Sequence, residues 1–81
     1  MNRKELEKRL REEGIRPDVY SLYGSDFDER LVLSQISGGK YQIYYFERGL
    51  KSNLKEYPNE SEACEAFLKA LRSDPLAKIK A

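Results

Sequence analysis

Apolar residues recur along this chain at more than one spacing, and each spacing predicts a different element. Over positions 3 to 13, Leu6 and Leu10 stand one helical turn apart among charged residues, the pattern of a solvent-facing helix with a narrow apolar stripe. Opposite charges at Glu5/Arg9, Glu7/Arg11, Lys8/Glu12 and Arg9/Glu13 fall four residues apart and support it. Gly14 supplies a left-handed cap, Ile15 is placed to fold back onto the last turn, and the ring of Pro17 forbids continuation. The helix is therefore expected to end at about Glu13.

Asp18 to Tyr23 alternates weakly and reads as a short strand or an extended strip. Gly24 to Glu29 combines glycine, serine and acids around Phe27, the composition of a loop. The strongest local signal follows. Leu31 to Ile36 and Tyr41 to Phe46 are rich in β-branched and aromatic residues, and the pair Gly38-Gly39 between them can take the positive φ of a tight turn. With those glycines as a two-residue loop, the ladder pairs Ile36/Tyr41, Ser34/Ile43, Val32/Tyr45 and Arg30/Glu47 on one face. Leu31, Leu33, Tyr44 and Phe46 then fall on the other. Both faces are apolar or aromatic, unlike a sheet that is wet on one side, so each face needs a cover.

After a turn near Arg48-Gly49, Lys51 to Tyr57 reads as a polar strand at the sheet edge, where Lys51 and Lys55 discourage stray pairing. Asn59 is placed to cap a second helix, with Glu62 at the capping-box position. Cys64, Phe67, Leu68 and Leu71, with Ala63 and Ala70 beside them, form a broad stripe that packs on the sheet. Ser73-Asp74-Pro75 ends the helix, and residues 76 to 81 read as a loose tail. The expected fold class is α+β, a three- to four-stranded antiparallel sheet with an N-terminal and a C-terminal helix in the order α-β-β-β-α, in one domain spanning 1 to 81.

Composition narrows what such a domain does. Eighty-one residues build one modest core and leave little room for a deep substrate pocket, so a broad contact surface is the better expectation. Fifteen Lys and Arg against fourteen Asp and Glu give a net charge of +1. A dedicated nucleic-acid binder shows a basic excess and a membrane-seeking segment a polybasic cluster, so both partners lose ground. No stretch approaches the roughly 20 apolar residues that span a bilayer, the start is charged rather than apolar, and a cytoplasmic location is expected. The chain has no histidine, which removes the commonest general base and metal ligand together with every Ser-His or Cys-His nucleophile. No enzyme activity, metal or cofactor is expected.

Asp26, Asp28 and Glu29 are the densest acidic group, but hard-cation loops supply more oxygen ligands around a fixed glycine, and a solvated loop is the commoner reading. Cys64 lies on the apolar stripe of the second helix, where a free cysteine behaves as a small hydrophobe. Gly38-Gly39 is too short to cradle phosphate and lacks a strand-loop-helix setting. Six tyrosines and three phenylalanines raise a single-strand nucleic-acid reading, with bases stacked on Tyr41, Tyr44 or Tyr45; the same aromatics also fill the core of a small sheet.

Tyr41-Gln42-Ile43-Tyr44-Tyr45-Phe46-Glu47-Arg48-Gly49, followed by a polar strand and then Asn59-Glu60-Ser61-Glu62-Ala63-Cys64-Glu65-Ala66-Phe67, resembles a family of small bacterial immunity proteins. These accompany polymorphic or contact-delivered toxins, nuclease-type toxins among them. The similarity takes in Gly14 to Leu22 and so covers nearly the whole chain. The resemblance implies a cytosolic protein that neutralises the cognate toxin of its producer by tight binding, in a contact-dependent growth-inhibition or related system. An inhibitor that mimics nucleic acid is strongly acidic, whereas this chain is near neutral, so blocking by shape or from beside the active site fits better.

The expected contact surface joins Tyr44, Phe46 and Arg48 on the hairpin to the acidic loop residues Asp26, Asp28 and Glu29. Aromatics and arginine are the usual interface anchors, and acids meet a basic cleft. The alternative is a small nucleic-acid-binding regulatory protein that uses exposed tyrosines on the sheet.

Overall fold

The computed structural model describes residues 1–24 and 29–73. Helix α1 spans Arg3–Glu12, strand β1 Tyr20–Ser21, strand β2 Arg30–Gln35, strand β3 Tyr41–Glu47, strand β4 Leu50–Tyr57 and helix α2 Glu60–Arg72. The α+β class and the placement of one helix at each end follow the sequence pattern. The four strands lie in the order β1-β2-β3-β4. β2, β3 and β4 form an antiparallel meander, whereas β1 pairs parallel with β2. The sheet is therefore mixed rather than purely antiparallel, because β1 and β2 run in the same direction and are not joined by a tight hairpin turn.

Both helices begin on an asparagine side-chain cap. Asn2 accepts from the Glu5 amide and Asn59 from the Glu62 amide, each at 2.9 Å, so an orphan donor of each first turn is satisfied. At the end of α1 the Ile15 amide donates to the Leu10 carbonyl at 2.9 Å and the Gly14 amide to the Arg11 carbonyl at 3.1 Å, with Gly14 at φ 75°. This is a Schellman cap. Its apolar component is Ile15, which is 1% exposed and shares a cluster with Leu10. Of the helix-face charge pairs, Glu7 meets Arg11 at 2.8 Å, while Glu13 instead takes a bidentate hold on Arg72 of α2, with Nε to Oε1 at 2.7 Å.

The β2–β3 connection corrects the sequence reading. The Ile36 amide donates to the Lys40 carbonyl at 2.8 Å, and Ser37–Gly39 form one tight 3₁₀ turn with Gly38 at φ 77° and Gly39 at φ 75°. The loop therefore has three residues rather than two, and the register moves by one. The observed pairs are Leu31/Tyr45, Leu33/Ile43 and Gln35/Tyr41 on one face and Arg30/Phe46, Val32/Tyr44 and Ser34/Gln42 on the other. Because side chains alternate with period two, Ile43 and Tyr45 join Leu31 and Leu33, and Val32 joins Tyr44 and Phe46, the reverse of the expected grouping.

The helices cover the first of these faces. Leu6 and Leu10 of α1 and Ala63, Cys64, Phe67, Leu68 and Leu71 of α2 close one core with Leu33, Tyr41 and Ile43. Ala70, expected beside that stripe, is exposed. Val32 and Tyr44 are also buried, at 0% and 2% exposure, although they lie on the face turned away from the helices.

Candidate functional site

The end of the sheet at the β3–β4 turn gathers the sequence-selected residues that the structure describes. Glu47 pairs with Leu50, which leaves Arg48 and Gly49 as a two-residue loop at φ 52° and 77°, the positive φ at both positions that a type I′ hairpin turn requires. Asparagine or glycine relieves the first of these positions; Arg48 occupies it exposed and in a strained conformation. Glu29 is another exposed residue with positive φ, 60°. Its amide donates to the Phe46 carbonyl at 2.8 Å, which brings Glu29 to the same end of the sheet.

Cross-strand pairing places Arg30, Phe46 and Lys51 in one row on the face away from the helices. Phe46 is half-buried. In the next row Tyr44 is buried against Val32, and the Lys51 ammonium stands over the Tyr44 ring at 4.7 Å from its centroid, a cation–π contact. Tyr44 thus supports the surface from beneath, and Lys51, Phe46 and Arg48 form its accessible part. Asp26 and Asp28 lie outside the described residues. Of the tyrosines considered as stacking platforms, Tyr41 and Tyr44 are buried and Tyr45 is partly buried.

Sequence reading missed the outer strand as a contact surface. β4 is exposed from Leu50 to Glu56, and it carries Leu50 at 72% and Leu54 at 44% exposure. The signal was there: two leucines in a strand otherwise made of Lys, Ser, Asn and Glu. Between the pairs Ile43/Lys55 and Tyr45/Ser52 the register shifts, so Asn53 and Leu54 together oppose Tyr44. Asn53 takes φ 54° there, as expected of a bulge residue that tolerates the left-handed region.

Away from the β3–β4 turn, Tyr23 is an exposed aromatic, at 57%. Arg3 lies over it at 4.8 Å from the ring centroid and over Tyr41 at 5.5 Å. The Arg3 backbone amide and Nε both donate to Glu60 Oε2, at 3.0 and 3.3 Å, and a guanidinium nitrogen reaches Gln35 at 3.4 Å. These bonds occupy the shallow recess between Asn2, Arg3, Lys4, Tyr23 and Glu60 with internal contacts. The node joins α1, α2 and the hairpin and is a structural staple.

Cys64 has the environment expected of a packing residue. It is fully buried, and burial, with the Glu60 carboxylate adding to it, pushes the thiol up to about 11; a thiol so placed is protonated and unreactive near neutral pH. Among the described residues no helix is long and apolar enough to cross a membrane.

The fold defines a small α+β protein: a four-stranded mixed sheet with two helices on one face and an open outer strand. Comparison with protein-family models, with curated proteins and with solved structures gave no match.

Proposed function

We propose that this protein is a binding module that neutralises a cognate bacterial toxin, an immunity protein acting by protein–protein contact in the cytosol of the cell that makes the toxin. The observation that carries this reading is the concentration of exposed apolar and cationic side chains, Leu50, Leu54, Arg48 and Lys51, at one end and edge of a sheet whose helix-side core is already closed. Apolar groups ringed by charge are the make-up of a protein interface. The resemblance of Tyr41 to Gly49 and of Asn59 to Phe67 to small immunity proteins points the same way. The reading gives the chain no catalytic step.

The nucleic-acid alternative is weaker on this geometry, since a stacking platform needs an exposed ring and Tyr41 and Tyr44 are buried. The test is co-expression with the C-terminal toxin domain encoded by the adjacent gene. Growth is expected to be restored, and the two proteins are expected to purify together. Continued toxicity, with no complex between two folded proteins, overturns the reading.

A further inference from the structure

The open edge of β4 has a chemistry of its own. β1 and β4 are the outer strands of the sheet. β1 has two residues, whereas β4 has eight, so β4 offers the longer row of backbone donors and acceptors. Leu50 and Leu54 are two of the three large apolar side chains most exposed among the described residues. Cations outnumber acids on this hairpin, with Arg48, Lys51 and Lys55 against Glu47 and Glu56.

Arg48 adds an independent observation. At φ 52° in a two-residue turn it holds a position where asparagine is conformationally better, with its side chain exposed. A strained residue at an exposed turn points to a use outside the fold.

We infer that β4 docks an extended, acidic and apolar segment of the partner protein, which adds to the sheet as a fifth strand. Its carboxylates meet Arg48, Lys51 and Lys55, and its apolar side chains cover Leu50 and Leu54. Main-chain hydrogen bonds supply affinity in this mode and alternate side chains supply selectivity. The charge complementarity selects an acidic occupant. A second copy of the same strand fits less well: the register that pairs the whole of β4 with itself sets Lys51 against Glu56 but puts the Asn53–Leu54 bulge of one copy against that of the other. A foreign strand meets a single bulge.

This inference rests on the toxin-binding reading, and one experiment separates the two. The complex with the adjacent gene's toxin domain is compared with the free chain by amide hydrogen exchange, alongside affinities of Arg48→Asn and of the double variant Lys51→Glu, Lys55→Glu. The expected result is slowed exchange at β4 amides that exchange freely in the isolated chain. The charge reversal should weaken binding by about ten-fold or more. Arg48→Asn should weaken binding while raising the melting temperature, an opposition that a purely structural role does not produce. A complex in which β4 amides stay unprotected and both variants bind like the parent overturns the β4 site and leaves toxin binding standing. A dimer of the free chain that protects β4 and dissociates on charge reversal assigns the edge to a second copy and overturns the partner strand. Absence of any complex removes the toxin-binding reading, and this inference with it.

Discussion

Cys64 shows how one side chain's chemistry is decided by where a helix turns it. Its place in the repeat of Ala63, Cys64, Phe67, Leu68 and Leu71 faces it into the core, where burial disfavours a charged thiolate. Replacing it by Ala is expected to cost on the order of 1 kcal/mol, through a small cavity, with no loss of toxin neutralisation. Alkaline pH gives a sharper check. The folded thiol titrates at about 11 against an ordinary value of 9.0, so the unfolded chain gives up this proton first. The contribution of the buried neutral thiol is complete below about 9 and is lost as pH climbs toward 11. Burial raises Tyr20 as well, and its contribution has the same sign. In thermal melts the Cys64→Ala protein should lose less of its melting temperature over this alkaline window than the parent; equal losses would mean that the thiol is solvated.

At the scale of elements, the β2–β3 hairpin depends on the length of its loop. Ser37, Gly38 and Gly39 together fix the register that puts Leu33 and Ile43 beneath the helices and Val32 and Tyr44 on the far side. The substitution Gly38→Asn puts an Asn-Gly pair at positions 38 and 39, which favours a two-residue loop and with it the ladder offset by one, Ser37 facing Lys40. Every side chain of one strand would then stand on the wrong face relative to its partner strand, so a large fall in melting temperature and a broadened transition are expected by circular dichroism. A variant that melts like the parent would show that the strands, not the loop, set the register. The hairpin itself was legible from residues 31 to 46, as was the turn at Arg48-Gly49. The number of loop residues was not, because Gly38-Gly39 satisfies a two-residue or a three-residue turn equally well and the choice rests on which side chains the helices cover.

For the whole molecule, a chain of this length has a net stability of only about 4 to 12 kcal/mol, so contacts that tie several elements matter more than their number. Arg3 is such a contact, joining the start of α1 to Glu60 of α2, to Gln35 of β2 and to the rings of Tyr23 and Tyr41. Its guanidinium plane serves the stacking and the hydrogen bonds together, which an ammonium does not. Arg3→Ala is expected to cost about 1 to 2 kcal/mol in urea unfolding and Arg3→Lys to restore less than half. Full restoration by lysine would reduce the node to simple charge.

What the sequence by itself determined follows from local physics. The helix limits came from caps and proline, the strands from β-prone runs, the polar edge strand from its lysines, and the burial of Cys64 from helical periodicity, since each depends on residues a few positions apart. Only the tertiary structure decided the parallel pairing of β1 with β2, the face assignment of Tyr44 and Phe46, the exposure of Leu50 and Leu54, and the meeting of Arg3 with Glu60. Each of these depends on partners far apart in the chain, whose apposition follows from closing the core as a whole.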